Sequence, residues 1–318
     1  MICGLLGEKL SHSYSPQIHK FLGDDQYNIF EKSPDQLEDF LQNGDFHGLN
    51  VTIPYKKTVI EYCQELSAEA QRIGAVNTLV KRNDGSLIGH NTDYFGFRSM
   101  ALRIGISYQG KKALVLGSGG ASNTAVAVLE EMGANVVIVS RNGVNHYGNL
   151  HMHKDAAVLV NTTPVGMFPH TGSCMVDLDK LPNLAGVLDV IYNPARTKLL
   201  LDAEQRGLVT MNGLLMLVAQ AKEAAEWFTD SHIDDTVIGK IHGTLQRQME
   251  NIILIGMPGC GKTTVGKFLA EMVGKTFVDA DTEVELLAGK TIPEIFAQDG
   301  EEEFRSLEDI LIRDFVLI

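Results

Sequence analysis

Two glycine-rich loops, each directly after an apolar run, are the clearest sites for chemistry in this sequence. Residues 113–116 lead into Gly117-Ser-Gly-Gly-Ala121, and residues 252–255 lead into Gly256-Met-Pro-Gly-Cys-Gly-Lys-Thr263. Glycines between a strand and a helix let backbone N–H groups approach phosphate oxygens, and the amino end of the helix favours their negative charge. The loops differ in form, so the sequence predicts two different nucleotide sites.

The first loop has the form of a dinucleotide-binding turn, in which Gly117, Gly119 and Gly120 surround Ser118 and precede Ala121. Such glycines let the backbone turn tightly and come close to a pyrophosphate. Glycine clusters also serve plain turns, so this motif alone does not decide between the two interpretations.

The next predicted strand, 135–139, distinguishes the two dinucleotides. It leads into Ser140-Arg141 and has no acidic residue at its tip. An acidic side chain at this point binds a free ribose hydroxyl, whereas an arginine pairs with a 2′-phosphate. We therefore predict NADP rather than NAD, with a solvated surface arginine as the alternative for Arg141.

The second loop fits the Walker A motif, which requires a strand before it and a helix after it. Backbone N–H groups would cradle the phosphates, Lys262 would reach the β- and γ-oxygens, and Thr263 would ligate Mg²⁺. The predicted ligands are therefore ATP and Mg²⁺. The loop residues assigned to them are Gly259, Cys260, Gly261, Lys262, Thr263 and Thr264.

Six further blocks, in order along the chain, resemble those of shikimate dehydrogenases. They are Ser11-His-Ser-Tyr-Ser-Pro16, Asn50-Val-Thr-Ile-Pro-Tyr-Lys56, Gly74-Ala-Val-Asn-Thr78, Asn91-Thr-Asp93, Asn161-Thr-Thr-Pro-Val-Gly-Met167 and Asn212-Gly-Leu-Leu-Met-Leu-Val-Ala-Gln220. The resemblance implies an enzyme that reduces the C3 carbonyl of 3-dehydroshikimate to shikimate with NADPH. It also implies a cleft between a substrate domain and a Rossmann-like cofactor domain.

The resemblance places the chemistry on Lys56 and Asp93. Hydride arrival at a ketone carbon leaves charge developing on the oxygen, which needs a proton donor within hydrogen-bond reach. Lys56 is the candidate donor, and Asp93 would orient the reacting hydroxyl and hold Lys56 through a charge-assisted hydrogen bond. Because their titrations are coupled, the sequence leaves open which of the two carries the proton at each step.

By the same resemblance, short polar side chains hold the substrate ring. Ser13 and Ser15, two apart in an extended segment, would bind the carboxylate. The ring hydroxyls are assigned to Thr52, Asn77 and Gln220.

Three more positions come from the family pattern. Tyr192 matches a position beside the substrate, and Val190 and Gly213 match positions that line the nicotinamide half of the cofactor site. His12 and His19 also invite assignment as bases, but we favour a supporting role for them in the first loop.

Beyond the second glycine loop, Phe277-Val-Asp-Ala-Asp281 and Phe296-Ala-Gln-Asp-Gly-Glu-Glu-Glu-Phe-Arg305 resemble shikimate kinase, which catalyses the step after the dehydrogenase. The resemblance implies that Asp279 helps to hold Mg²⁺ through water, and that Asp281 and Arg305 hold shikimate.

After about residue 312 the sequence lacks the second substrate loop and the arginine-bearing lid of that family. Such arginines contribute roughly 10³ to 10⁵ in rate, so we expect a truncated kinase part without kinase activity. Residues 310–318 are expected to form an exposed apolar end, disordered or docked on a neighbour.

The elements that position these residues are apolar runs that alternate with helix-like stretches. This alternation is typical of an α/β fold. Strands are predicted at 2–6, 27–30, 47–51, 75–80, 112–116, 135–139, 157–161 and 187–191, and before the second loop at 252–255. Helices are predicted at 34–42, 59–66, 121–132, 197–206, 213–228 and 231–248, with a short or poorly formed one between 139 and 157.

These elements group into three parts. Residues 1–95 form an N-terminal α/β substrate-binding domain that is completed by the helices in 213–248. Residues 96–212 form a Rossmann-like NADP-binding domain, and 249–318 form a partial P-loop kinase α/β domain.

Charge and cysteine content limit the classes of partner and the cellular compartment that we predict. The net charge is −13, and residues 249–318 hold 6 Lys/Arg against 14 Asp/Glu. An acidic chain has no general attraction for nucleic acid or anionic membrane, so we predict small-molecule partners and neither of those. Four scattered cysteines, with no signal peptide or membrane span, predict a reducing cytoplasm. The chain is expected as a monomer or homodimer.

Two alternatives stay open. The chain can be a fragment of a bifunctional dehydrogenase and shikimate kinase whose kinase half binds ATP and is completed elsewhere; ATP turnover with shikimate would support it. It can also be a nucleotide-binding regulatory protein without catalysis, which NADP binding without turnover would support. The presence of Lys56 and Asp93 argues against the second alternative.

Overall fold

The computed structural model describes residues 1–10, 13–257 and 259–316, with side chains described up to residue 311. Ser11, His12 and Pro258 therefore lie outside the described residues. The chain divides into two compact units, Met1–Gln246 and Arg247–Ile318. The division of the first unit at residue 95 and the boundary at residue 248 stay predictions. Within the described ranges, no helix combines the length and apolar character needed to cross a membrane.

The first unit begins with a mixed six-stranded sheet. Its strands are β1 (Cys3–Gly7), β2 (Asn28–Glu31), β3 (Gly48–Val51), β4 (Glu65–Leu66), β5 (Thr78–Lys81) and β6 (Leu87–His90), in the order β2-β1-β3-β5-β6-β4. β1 pairs in parallel with β2 and β3, whereas β5 is antiparallel to β3 and β6. The helices of this half are α1 (Ser15–Phe21), α2 (Pro34–Asn43) and α3 (Ala68–Ile73). Buried leucines of β1, β3 and α2 form the core on one face.

The predicted helix at 59–66 is wrong. A 3-10 turn at Thr58–Tyr62 is followed by β4, which pairs in parallel with β6. The backbone N–H groups of Gln64 and Ser67 donate to carbonyls of β6, so the open edge of the sheet competes successfully with helix formation. The strand β6 itself was not predicted, and the strand predicted at 75–80 begins only at Thr78.

The second half of this unit is a five-stranded parallel sheet, in which four strands were predicted and the edge strand β11 was not. It consists of β7 (Lys112–Leu116), β8 (Asn135–Val139), β9 (Ala156–Asn161), β10 (Gly186–Asp189) and β11 (Val209–Met211), in the order β11-β10-β9-β7-β8. α5 (Gly120–Glu131) and α6 (Lys198–Gln205) flank it, and a 3-10 helix at Tyr147–His153 occupies the crossover where a short helix was predicted. Successive residues of β7 belong to apolar clusters on opposite faces, so the sheet is buried on both sides.

The first unit also contains α4 (Asp93–Arg103), α7 (Leu214–Thr229) and most of α8 (Thr236–Met249), whose last turn crosses the boundary at Gln246. α4 and α7 pack closely, because Gly96 lacks a side chain where a Cβ would lie 2.6 Å from the carbonyl oxygen of Met216. α4 begins where β6 ends and α7 begins directly after Gly213, so both helices start beside the strand ends that carry the site residues.

The second unit consists of α9 (Lys262–Val273), α10 (Ala280–Ala288), α11 (Ile292–Gln298) and α12 (Gly300–Val316). Val284, Ile295, Phe304 and Leu311 form its core. The strand predicted at 252–255 is wrong, since the described part of this unit contains no strand. A parallel strand needs a hydrogen-bonded neighbour, and without one these residues stay exposed.

The apolar end predicted at 310–318 is exposed at Ile310 but buried at Leu311. The side chains that follow lie outside the described residues.

Candidate active site

Lys56 and Asp93 form an ion pair at the centre of the predicted dehydrogenase site. The Nζ atom of Lys56 lies 2.5 Å from Oδ2 of Asp93, and the two side chains are 29% and 15% exposed. The carbonyl of Lys56 accepts a hydrogen bond from the N–H of Val76, which fixes the lysine backbone against the segment that precedes β5 and contains Asn77. Asp93 is the first residue of α4, where the helix dipole favours a negative charge.

Asn77 and Gln220 meet next to this pair. The side-chain amide of Asn77 donates to Oε1 of Gln220 at 3.5 Å and to Oγ1 of Thr92 at 3.1 Å. Its Oδ1 accepts from the backbone N–H of Thr92 at 2.7 Å, so the residue before Asp93 is held by Asn77. Both amides are buried. The structure therefore brings two of the predicted hydroxyl-binding residues together beside the ion pair.

His19 lies buried in α1 and contacts Asn50, rather than supporting the first loop directly. Its Nε2 lies 3.1 Å from Oδ1 of Asn50, which also accepts from the hydroxyl of Tyr27, and the two rings stack at 3.9 Å. Burial lowers the pKa of His19 to about 4, although the hydrogen bond to Asn50 opposes this. The amide of Asn50 donates to Thr78, which extends the network toward Thr92. His19 is thus a neutral structural histidine, whereas His12 lies outside the described residues.

The two serines assigned to the carboxylate lie in a turn rather than in an extended segment. The N–H of Ser15 donates to Oγ of Ser13 at 3.2 Å, and Ser15 begins α1. The residue between them, Tyr14, has helical backbone angles, so alternation along a strand does not apply here. Thr52 follows β3, where its N–H donates to the carbonyl of Leu6.

Val190 and Gly213 are in direct contact, which explains why position 213 requires glycine. A Cβ on Gly213 would lie 2.0 Å from the carbonyl oxygen of Val190. Tyr192 lies two residues after Val190, and its ring packs against that of Tyr14 with centroids 5.9 Å apart. Burial raises the pKa of Tyr192, so its hydroxyl stays protonated at neutral pH.

The first glycine loop fits a pyrophosphate. Gly117 has a φ of +113°, and its carbonyl accepts from the hydroxyl of Ser122, which closes the turn. A Cβ on Gly119 or Gly120 would meet no atom within 4 Å, so the amino end of α5 faces open space. Ser118 lies exposed between these glycines, and Ala121 is the second residue of α5.

Arg141 lies at the carboxyl end of β8, as predicted, and is exposed. Among the residues that the structure describes, no carboxylate forms an ion pair with it. The preceding Ser140 anchors the loop through a backbone hydrogen bond from its N–H to the carbonyl of Asn145. The guanidinium is therefore free to pair with a phosphate.

Asp189 is a buried carboxylate that the sequence analysis missed. It accepts hydrogen bonds from the side chains of Asn161 and Thr197 and from the N–H of Ile191, at 3.0, 2.7 and 3.0 Å. Burial raises its pKa to about 6 against these donors. It joins the ends of β9 and β10 with the start of α6 and so holds the segment that contains Val190. An acidic residue at the end of an apolar run was the signal for it.

In the second unit, Lys262 and Thr263 lie where the second glycine loop enters α9, although the strand that the motif requires before the loop is not formed. Gly259 and Gly261 have φ of +76° and +89°, and α9 begins at Lys262. Nζ of Lys262 donates to the carbonyls of Gly256 and Met257 at 2.8 and 3.0 Å. The flanking loop residues Cys260 and Thr264 are exposed.

The hydroxyl of Thr263 donates to Oδ2 of Asp279 at 3.0 Å. This places two oxygen ligands together at the amino end of α9, which suits Mg²⁺. In contrast, Arg305 pairs with Glu301 and Glu308 on its own helix, and not with Asp281. The assignment of Asp281 and Arg305 to shikimate stays a prediction.

Known proteins resemble both units of this chain. Residues 5–79 match the family model of the shikimate dehydrogenase substrate binding domain. A shikimate dehydrogenase (NADP(+)) of Clostridium perfringens is 37% identical over 265 residues, which cover 76% of this chain and 97% of that protein. This chain belongs to the shikimate dehydrogenase family.

Solved shikimate dehydrogenases share the fold. A structure from Peptoclostridium difficile is 37% identical, covers 79% of this chain and 99% of its own, and has a TM-score of 0.71. A shikimate 5-dehydrogenase from Thermus thermophilus, solved in complex with NADP(H) and shikimate, is 30% identical, covers 79% and 100%, and has a TM-score of 0.69. The dehydrogenase fold thus accounts for the first unit, whereas residues 258–317 match the family model of shikimate kinase.

Proposed function

We propose that the first unit reduces 3-dehydroshikimate to shikimate with NADPH. The observation that carries the proposal is the Lys56–Asp93 ion pair beside the Asn77–Gln220 contact. A cation for the reacting oxygen and amides for ring hydroxyls are what this reduction requires. The name of the Clostridium perfringens relative and the ligands of the Thermus thermophilus structure support the same substrate and cofactor.

NADPH, when bound, supplies the hydride that reaches the C3 carbon. The protein holds its pyrophosphate at the amino end of α5, where Gly119 and Gly120 leave room. Arg141 pairs with the 2′-phosphate, and Val190 with Gly213 forms the wall for the nicotinamide ring.

The protein orients the substrate with short polar side chains. Ser13 and Ser15 bind the carboxylate, and Thr52, Asn77 and Gln220 bind the ring hydroxyls. Because Asn77 and Gln220 are already hydrogen-bonded to each other, their orientation is set before the substrate arrives.

Lys56 and Asp93 handle the proton. As the C3 oxygen gains negative charge, the ammonium of Lys56 donates a hydrogen bond and then one proton to it, so that hydride and proton together convert the ketone to the alcohol. Asp93 holds Lys56 aimed at this oxygen through their ion pair, and it accepts the hydrogen bond of the product hydroxyl.

A direct assay tests this function. The full chain is mixed with NADPH, with and without 3-dehydroshikimate, and the loss of NADPH absorbance is followed. We expect substrate-dependent oxidation and weaker activity with NADH. Absence of turnover with folded protein that binds NADPH would instead support the non-catalytic alternative.

A second function is favoured by the Thr263–Asp279 contact. We propose that the second unit binds ATP with Mg²⁺, using Lys262 for the phosphates and Thr263 with Asp279 for the metal. Arg305 pairs with its own helix, so we propose binding without phosphoryl transfer. Binding of a fluorescent ATP analogue tests whether the second unit binds ATP. We expect this binding to depend on Mg²⁺ and to be lost in Lys262→Ala. ADP release that requires shikimate would contradict binding without phosphoryl transfer and support the bifunctional alternative.

We also propose that the protein works in a reducing cytoplasm and binds small molecules. We propose that it is a monomer or a homodimer. All four cysteines, Cys3, Cys63, Cys174 and Cys260, are free thiols. Light scattering of the purified chain decides between the two oligomeric states.

A further inference from the structure

Tyr14 and Tyr192 are in contact although they belong to different halves of the first unit. Their ring centroids lie 5.9 Å apart with an interplanar angle of 82°, which is an edge-to-face arrangement. Tyr14 directly precedes α1 in the half built on the mixed sheet, and Tyr192 follows β10 of the parallel sheet. This contact therefore joins the two halves of the first unit.

Both tyrosines adjoin residues that we assign to ligands. Tyr14 stands between Ser13 and Ser15, and the hydrogen bond from Ser15 to Ser13 makes these three residues one tight turn. Tyr192 stands two residues after Val190, which contacts Gly213. Movement of either ring would therefore be felt at the carboxylate site or at the nicotinamide wall.

The environment of the pair makes its orientation specific. Both rings are half-buried, and edge-to-face contacts prefer one relative orientation of the rings. A tyrosine held in this way keeps its hydroxyl at one place, whereas a free ring samples several rotamers.

We propose that Tyr14 is a positioning residue for the substrate, which acts by holding the Tyr192 ring, and with it the Tyr192 hydroxyl, against the substrate ring. This inference rests on the proposed dehydrogenase function. Tyr14 touches Tyr192 and not the reacting atoms.

A double-mutant cycle tests the inference. Tyr14→Ala, Tyr192→Ala and the double variant are compared in kcat and KM for 3-dehydroshikimate and for NADPH. Aromatic pairs of this kind are worth about 0.5–1.5 kcal/mol, so Tyr14→Ala should lower kcat/KM for 3-dehydroshikimate by about two- to tenfold, mainly through KM. In the Tyr192→Ala background, the same change should have almost no further effect.

Two more variants separate positioning from simple damage. Tyr14→Phe retains the ring and should restore most of the loss. Phe21→Ala removes an exposed ring at the far end of α1 and should leave the kinetics unchanged. If thermal unfolding shows that Tyr14→Ala is not folded, Tyr14→Leu takes its place in the cycle.

Some outcomes would overturn the inference. Additive losses in the double variant would mean that Tyr14 does not act through Tyr192. An equal loss in Tyr14→Phe would exclude the ring contact as the cause. Each of these requires an active parent chain, so they are distinct from failure of the proposed function, which would show as no turnover in the parent.

Discussion

Lys56 and Asp93 are 37 residues apart in the chain, yet Nζ and Oδ2 lie within 2.5 Å of each other. Lys56 is positioned by the segment after β3, and Asp93 by the start of α4. The hydrogen bonds between Asn77 and Thr92 tie the residue before Asp93 to the segment that also contacts the backbone of Lys56. The Lys56–Asp93 pair is therefore tied to the same buried network that holds the side-chain amide of Asn77.

Removing the lysine should abolish most of the turnover. General acid catalysis contributes about 10² to 10⁴ in rate, so Lys56→Ala should lower kcat by that factor. Asp93→Asn should lower it too, and the double variant should be little worse than either. Lys57→Ala, the exposed neighbour, is the control in the same assay. Turnover of Lys56→Ala within a few-fold of the parent would show that the proton donor is another group.

Arg141 should determine the choice of cofactor. Arg141→Ala should raise the KM for NADPH by about tenfold or more, because hydrogen bonds to charged groups contribute about 1.5–3 kcal/mol. The KM for NADH should stay the same. Lys111→Ala, an exposed cation at the opposite end of β7, serves as the control in steady-state kinetics. Equal use of both cofactors by the parent would refute the assignment.

Two glycine-to-alanine changes should shift stability in opposite directions. At Gly213 a Cβ would lie 2.0 Å from the Val190 carbonyl oxygen, so Gly213→Ala must displace the segment after β10 and should lower both stability and activity. At Gly239, inside α8, a Cβ meets open space, and the change should raise stability by about 0.5–1 kcal/mol. Urea unfolding measures both, and a neutral Gly213→Ala would count against the close contact.

Acid should weaken the protein through His19. Its pKa is lowered from 6.5 to about 4 in the folded state, so on acidification the unfolded chain binds the proton first. The contribution of His19 to stability is complete above about pH 6.5 and is lost as the pH falls to 4, by roughly 3 kcal/mol. The loss in free energy of unfolding caused by His19→Gln, measured in urea, should therefore be smaller at pH 4.5 than at pH 7. The exposed His170→Gln provides the comparison, and a cost that does not vary with pH would contradict the burial of a neutral ring.

Asp189 should have the opposite pH dependence. Its pKa is raised from 3.8 to about 6, so the folded state holds the proton over that range while the unfolded chain has lost it. Its contribution to stability falls by roughly 3 kcal/mol as the pH rises from 3.8 to 6. Asp189→Asn cannot titrate, so relative to the parent it should become more stable between pH 4.5 and pH 7. A constant difference in urea unfolding would mean that the three hydrogen bonds keep the carboxylate ionised throughout.

The local elements could be derived from the sequence, because their causes are local. β7, the glycine turn and α5 follow from an apolar run, from a glycine with positive φ and from the helix after it, and all three have the predicted positions. The resemblance of ordered blocks likewise identified the family and the cofactor class. The second glycine loop was recognised on the same grounds, and Lys262 begins its helix.

Other features depend on contacts between residues distant in the chain, which a local pattern does not contain. Residues 64–67 pair with an edge strand instead of forming a helix, and Asp189 draws its hydrogen bonds from three separate elements. The Tyr14–Tyr192 contact joins residues on two sheets. The sequence by itself determined which side chains are available and the local turns that present them. Only the tertiary structure decided which of them are buried, charged and adjacent, because burial and hydrogen-bond partners arise when separate elements pack together.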